Sequence, residues 1–281
     1  MYNISGNSFA SLYSKLLRRL VESPEYESSP RGLKCNEILD VGMTIQRPWL
    51  NLFKNERRDL PLKYLTGELI WYFSGKNDLK YIEKYSRFWG KIKNPDDTLN
   101  SAYGKLIFVD KNEFEWTQWS WAMNCLIQDK DSRKAIIHFN TSSHQYAQNR
   151  DFVCTMYLQF FVRDNCLHMI SYMRSQDIIL GMSYDVPFFS LLMKCMRKEL
   201  LPFYPDLMVG TYTHRIGSLH IYEDKLQLAK EMLESKFVSS YTPKIKQNPI
   251  LNKEVLNLYG GEEYDGKDKF FKWLDINSRR K

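Results

Sequence analysis

Three strand-like runs follow one another in the middle of the chain with no helix between them: Ala135 to Asn140, Val153 to Arg163 and Cys166 to Tyr172. Arg163-Asp164-Asn165, between the last two, reads as a tight hairpin turn. Helical patterns lie on both sides of this centre but do not alternate strictly with strands. That order excludes a simple βαβ repeat and predicts an α+β domain on a mixed, mostly antiparallel sheet flanked by helices. GxGxxG, GxxxxGK[ST] and HExxH motifs are absent, as is any internal repeat.

Around the centre, Phe9, Leu12, Tyr13, Leu16, Leu17 and Leu20 recur at helical spacing and predict a helix over Ser8 to Val21. Further helices are expected at Pro61 to Phe73, Asn77 to Trp89, Phe114 to Gln128, Pro187 to Leu201 and Glu223 to Ser235. Glu37 to Asn51 and Leu207 to Ile221 read as extended, while Ser23 to Lys34 and Lys91 to Asn100 read as loops. The segment from Asn252 to Lys281 is polar apart from an aromatic patch at Phe270, Phe271 and Trp273.

Net charge is +7, but the lysines and arginines are mixed with acids throughout. This favours a local anion site over a nucleic-acid groove. The five cysteines are odd in number, widely spaced and form no CxxC pair, so neither a disulfide framework nor a zinc site is expected. His138, His144, His168 and His214 lack metal-ligand spacing, and Cys35, Cys125, Cys166 and Cys195 read as buried or incidental thiols. The first residues carry no basic-then-apolar signal pattern, and no window approaches the roughly 18 apolar residues of a membrane span. The expectation is a cytoplasmic protein with free thiols and no membrane or nucleic-acid partner.

Cys154 lies in Asp151-Phe152-Val153-Cys154-Thr155-Met156-Tyr157, at the start of the second run. A strand cysteine by itself is usually a buried hydrophobe. Its company gives it weight: Arg174-Ser175-Gln176-Asp177 follows the next strand, and an adjacent arginine lowers a thiol pKa. His220 and Tyr222, two apart in Gly217-Ser218-Leu219-His220-Ile221-Tyr222, share a strand face and suit a sugar hydroxyl.

Taken with Pro30-Arg31-Gly32, Glu68-Leu69-Ile70-Trp71 plus Gly75 and Asn77, Tyr103-Gly104, Asp131-Ser132-Arg133-Lys134, Met173 and Gly181-x-x-x-Asp185, these motifs resemble the thymidylate synthase superfamily in order and spacing. The resemblance covers about residues 10 to 235. Each motif is short; their ordered succession carries it. It implies one thymidylate synthase-like catalytic domain over 1–281, with a polar C-terminal extension over about 240–281, and a homodimer formed through sheet faces. It also implies an enzyme that moves a one-carbon unit from 5,10-methylenetetrahydrofolate to C5 of a pyrimidine nucleoside monophosphate, without metal.

By the same resemblance, Cys154 attacks C6 of the base, and Arg174 stabilises the thiolate and binds phosphate. Glu68 serves as general acid/base, and Tyr103 assists proton removal from C5. Asp177 and Gly181 fall to the folate, Asp177 by bonding the pterin. Trp89 has two open readings, folate stacking or core packing. His220 and Tyr222 hold the 3′-hydroxyl. Phosphate falls to Arg31, Arg174 and Ser175, with Arg133 and Lys134 reaching from the second subunit, which is the reason to expect an obligate dimer. Lys134 stands where the family usually has a second arginine.

Two departures from the synthase pattern bear on substrate. Asp185 occupies the place of an asparagine that reads uracil. A carboxylate accepts from the exocyclic amine of cytosine and, when protonated, also donates to the ring nitrogen. Asp185, Thr155 and Met173 follow the dCMP hydroxymethylases of the superfamily. Second, the chain ends Asn277-Ser278-Arg279-Arg280-Lys281 in place of an apolar tail. Hydride transfer needs a dry site, whereas hydroxymethylation needs water. The resulting expectation is dCMP hydroxymethylation, a product suited to a virus modifying its DNA in the host cytoplasm. The competing readings are a thymidylate synthase acting on dUMP, a hydroxymethylase for dUMP or CMP, and, from another class, a nucleic-acid-binding protein or inactive regulator.

Overall fold

The computed structural model describes residues 1–58 and 60–280; Lys281, the last residue of the charged tail, lies outside the described residues. In chain order the elements are β1 (Tyr2–Gly6), α1 (Phe9–Glu22), β2 (Tyr26–Ser28), β3 (Cys35–Ile45), β4 (Leu52–Lys54), α2 (Leu62–Ser74), α3 (Leu79–Ile82), α4 (Trp89–Ile92), α5 (Tyr103–Phe108) and α6 (Gln118–Gln128). There follow β5 (Ile136–His138), β6 (Thr155–Arg163), β7 (Cys166–Asp177), α7 (Met182–Leu200), β8 (Met208–Tyr222), α8 (Leu226–Glu234), β9 (Val238–Ser240), α9 (Lys253–Gly260) and α10 (Lys269–Ser278). The chain divides into two compact units, each drawn from three segments.

The first unit comprises Met1–Leu60, Arg163–Met193 and Leu207–Thr242. Its sheet is mixed: β1 runs parallel to β3, β2 and β8 run antiparallel to β3, and β7 runs parallel to β8. The parallel register sets Ser175 opposite Ser218 and Asp177 opposite His220. Helix α1 forms as the apolar spacing predicts. Ser8 caps it by accepting the Ser11 N–H, and Phe9, Leu12, Tyr13, Leu16, Leu17 and Leu20 are all fully buried. Phe9, Tyr13, Phe53 and Phe237 form an aromatic cluster beneath it, with Tyr13 and Phe53 at 4.6 Å between centroids. Asp164 and Asn165 both take positive φ, as a two-residue I′ turn demands.

The second unit comprises Pro61–Val162, Lys194–Asp206 and Pro243–Lys281. Helix α2 is its axis. Every residue from Leu65 to Ser74 is buried, so this helix has no solvent stripe and is packed on all sides. Helices α5, α9 and α10 surround it. Strands β5 and β6 pair antiparallel, Ile136 opposite Gln159.

Several boundaries differ from the sequence reading. The expected helix over Asn77 to Trp89 is one turn at α3, followed by turns and then α4. Asp78 caps α3, and its backbone also forms a bridge with Thr98, which draws this stretch out of a continuous helix. The helix expected from Phe114 starts at Gln118, where Thr117 supplies the cap. The helix expected from Pro187 starts at Met182, so this proline lies inside the helix. Part of the expected loop Ser23 to Lys34 is β2, paired with the start of β3. The segment from 252 onward holds two helices, and Phe270, Phe271 and Leu274 of α10 are buried against unit neighbours that include α2.

Because Phe271 is fully buried, Phe271→Ala is expected to cost about 3–5 kcal/mol in urea unfolding. A change below about 0.5 kcal/mol, typical of a surface site, would show that α10 does not brace the unit.

Candidate active site

The candidate residues fall into two sets, one in each unit. In the second unit Cys154 is half-buried and stands one residue before β6. Thr155, the first residue of that strand, is fully buried and donates its hydroxyl to Tyr103 Oη at 2.9 Å. The Tyr103 ring stacks on Tyr72 of α2, with centroids 5.1 Å apart and planes 15° apart, and meets Phe139 edge-on at 4.8 Å. Tyr72 in turn donates to Glu68 Oε1 at 3.3 Å, and Tyr64 donates to the same oxygen at 2.7 Å. Positions 64, 68 and 72 share one face of α2 by their i, i+4 spacing. The structure thus gathers Glu68, Tyr103 and the strand start beside Cys154 into one network. Glu68 is only 6% exposed, so it is no surface glutamate.

Two features fix this arrangement. A Cβ at residue 104 would lie 1.6 Å from the Tyr72 carbonyl oxygen, so only glycine lets α5 approach α2 closely enough for the tyrosines to stack. The loop before Cys154 is also tied down. Asp151, 3% exposed, accepts the Ser101 N–H at 2.8 Å and the Ser101 hydroxyl, while Asn140 donates to the Val153 carbonyl at 2.8 Å. Burial raises the Asp151 pKa, and the Ser101 donors partly oppose this.

Trp89 lies edge-to-face on Trp71 at 5.5 Å and is 7% exposed, the setting of a core residue. Arg133 and Lys134 are exposed just before β5.

In the first unit, Arg174, Ser175 and Asp177 lie on β7, and His220 and Tyr222 end β8. The His220 and Tyr222 rings meet at 5.1 Å, edge to face. Asp177 Oδ1 accepts the N–H groups of Ile179 and Leu180, both at 2.7 Å. Its Oδ2 is buried and has no hydrogen-bond partner among the described residues. Burial is the main cause of the raised Asp177 pKa. A buried acceptor without a donor fits a ligand rich in N–H groups, which the pterin of a folate is. Arg58 holds the turn that follows, donating to the Ile179 carbonyl at 2.8 Å and to Ser183 Oγ at 3.2 Å. Arg31 stands on an exposed turn with φ 57°.

Asp185 is on the first turn of α7, and its amide bonds the Gly181 carbonyl at 3.1 Å. The residue is half-buried, yet enough protein surrounds the carboxyl to push its pKa up to about 6, against the opposing donation from Gln176 Nε2 to Oδ2 at 2.8 Å. Gln176 continues to His214, and His214 to Tyr212 and Ser171.

Among the described residues no group of His, Cys, Asp or Glu is arranged to hold a metal ion, and none of the five cysteines forms a disulfide. No helix among the described residues is long and apolar enough to cross a membrane.

Sequence reading missed the partners that hold these residues: Tyr64, Tyr72, the Asp151–Ser101 pair, and the Gln176–His214 chain. Tyr212 and His214 did carry a signal, since they alternate on β8 as His220 and Tyr222 do.

A sequence model of the thymidylate synthase family matches residues 11–262, and the chain belongs to that family. It is therefore a one-carbon transferase acting at C5 of a pyrimidine nucleotide, and the family uses methylenetetrahydrofolate as co-substrate. Among its relatives, the deoxycytidylate 5-hydroxymethyltransferase of Enterobacteria phage T6 is 26% identical over 198 residues, and that of phage T4 is 27% identical over 205. Both alignments cover 68% of this chain and 77% of the phage protein.

The raised Asp185 pKa has a stability consequence in the ligand-free enzyme. Below the unfolded value of 3.8 the carboxyl is neutral in both states and imposes no penalty. As pH rises from there through about 6, the unfolded state ionises first and native stability falls. The loss is at most about 3 kcal/mol. Asp185→Asn is therefore expected to raise the Tm at about pH 8 and to leave it nearly unchanged at about pH 4. An equal shift at both pH values would contradict this.

Proposed function

We propose that this enzyme converts dCMP, methylenetetrahydrofolate and water to 5-hydroxymethyl-dCMP and tetrahydrofolate. The observation that carries this reading is Asp185, a carboxyl whose pKa burial raises to about 6, in place of the family's uracil-reading asparagine. A carboxyl serves the amine and unprotonated ring nitrogen of cytosine, whereas an amide serves a carbonyl and a ring N–H. The named activity of the phage relatives supports the same choice.

Pyrimidine C5 is a poor nucleophile. Addition of the Cys154 thiolate to C6 moves the ring electrons to C5, which then attacks the donated carbon. Methylenetetrahydrofolate supplies that carbon at the oxidation level of formaldehyde. A proton must then leave C5. Tyr103 and Glu68 are the groups proposed to manage it, with Glu68 also placing water. Tetrahydrofolate leaves as its bond to the transferred carbon breaks, water adds at that exocyclic carbon, and the thiolate departs as the C5–C6 double bond re-forms.

Arg174 is proposed to stabilise the thiolate and to bind phosphate together with Arg31 and Ser175. Arg133 and Lys134, both exposed, would complete the phosphate site from a second subunit. His220 and Tyr222 would hold the 3′-hydroxyl, and Asp177 with Gly181 the pterin.

The test is a product analysis with methylenetetrahydrofolate and either dCMP or dUMP. Wild-type enzyme is expected to add the elements of CH2O to dCMP, and Cys154→Ser to lose at least about a thousandfold in kcat/KM. Asp185→Asn is expected to move preference toward dUMP. Formation of dTMP with an absorbance rise from dihydrofolate would instead identify a synthase, and no gain of CH2O on dCMP would exclude the proposal.

A further inference from the structure

Behind Asp185 lies a chain of buried polar groups. Gln176 is 2% exposed, and Ser171 and His214 are fully buried, as is Tyr212. Gln176 Nε2 donates to Asp185 Oδ2 at 2.8 Å, and Gln176 Oε1 lies 3.1 Å from His214 Nε2. His214 Nδ1 lies 2.7 Å from the Tyr212 hydroxyl and 2.8 Å from that of Ser171, and the two hydroxyls are 2.9 Å apart. Four polar residues in a closed interior are tolerated because they satisfy one another through hydrogen bonds.

While Asp185 is ionised, only one direction is open to this chain. A carboxylate accepts and cannot donate, so the amide must turn its NH2 toward Oδ2. The amide oxygen then takes the N–H of His214 Nε2, and Nδ1 accepts from a hydroxyl. Burial pushes His214 down to about 3, so the ring is neutral and carries the single N–H this direction requires. The other titratable group facing Asp185 is Tyr212, held neutral because burial raises its pKa well above the ordinary value. Gly181 makes room for the amide: a Cβ there would lie 2.5 Å from Gln176 Nε2 and 3.4 Å from Asp185 Oδ2.

When Asp185 takes up a proton, Oδ2 is already receiving the Gln176 N–H, so the proton goes to Oδ1. A hydroxyl oxygen accepts an N–H more weakly than a carbonyl oxygen, so a proton on Oδ2 weakens the Gln176 bond unless the amide, the imidazole and the hydroxyls reverse together. For a base reader this matters. A neutral carboxyl pairs with cytosine when the oxygen facing N3 carries the proton and the other accepts from the 4-amine. It pairs with uracil when the proton sits on the opposite oxygen, facing O4. The two pyrimidine edges therefore demand opposite placements of one proton.

We propose that Asp185 presents Oδ1 to N3 of the base and that Gln176, held in one orientation by His214, fixes the Asp185 proton on Oδ1, which makes these two positioning residues determinants of cytosine over uracil. This rests on the reading of Asp185 as the base reader. Loss of the relay lets the proton occupy either oxygen and admits uracil.

The experiment compares kcat/KM for dCMP and dUMP, and the pH profile of dCMP turnover, in wild type, Gln176→Leu and His214→Phe, each first checked for a native thermal transition. Wild type must prefer dCMP; if it does not, the base-reader assignment itself fails. Given that preference, Gln176→Leu is expected to lower the dCMP/dUMP ratio by about tenfold or more and to move the Asp185 limb of the profile to higher pH, since the carboxylate loses a donor. His214→Phe is expected to change the ratio in the same direction, and it decides the matter if Gln176→Leu does not fold. A wild-type ratio and profile in a folded variant overturn the inference, as does an equal fall with both nucleotides, which marks a purely structural role.

Discussion

The second unit depends on one buried contact, the hydrogen bond from Thr155 to Tyr103. Thr155 is the first residue of its strand, so this bond fixes where β6 begins and hence where Cys154 stands. Tyr103 passes the constraint on by stacking over Tyr72, whose hydroxyl reaches Glu68. The hydrogen bond is worth about 1 kcal/mol. The stack adds about 0.5–1.5 kcal/mol beyond its buried area. Neither is large, but both sit where α2 is buried from Leu65 to Ser74 and where only glycine at 104 allows α5 to approach it. The start of β6, beside Cys154, and the helix-borne Glu68 thus belong to one packed network.

The first unit is governed by desolvation. Asp177 and Asp185 are both carboxyls that protein surrounds enough to raise their pKa values. They are kept in different ways. Asp177 uses one oxygen to close its own turn, and the other has no hydrogen-bond partner among the described residues. Asp185 has one oxygen engaged by an amide whose far end is anchored on a buried imidazole. The first arrangement suits recognition of N–H donors, and the second suits control of a proton.

Much of this was legible in the chain itself. Regular apolar spacing located α1 closely, the expected helix over Pro61 to Phe73 matches α2, and the ordered motifs pointed to the family that the comparison then established. Helix ends were less legible where a side chain far along the sequence, or a local cap, decided them. Asp78 and Thr117 shortened two expected helices, and Pro187 misled because it signals a helix start but tolerates a place inside α7. The aromatic patch at Phe270 and Phe271 read as part of a polar extension, although its apolar side chains are buried in helix α10. His214 lacks metal-ligand spacing, and only its alternation with Tyr212 on β8 marks it in the sequence. Its contact with Gln176, 38 residues away in sequence, forms only in the fold, where the two side chains come within 3.1 Å.

The central claim is that the sulfur of residue 154 bonds to pyrimidine C6 during turnover. A fluorine at C5 cannot leave as a cation, so a 5-fluorinated substrate halts the reaction after the carbon unit has been transferred. Intact-protein mass spectrometry after incubation with 5-fluoro-dCMP and methylenetetrahydrofolate is expected to show one stable ternary adduct per chain, mapped by proteolysis to Cys154. An unmodified mass, or an adduct on Cys35, Cys125, Cys166 or Cys195, would contradict it.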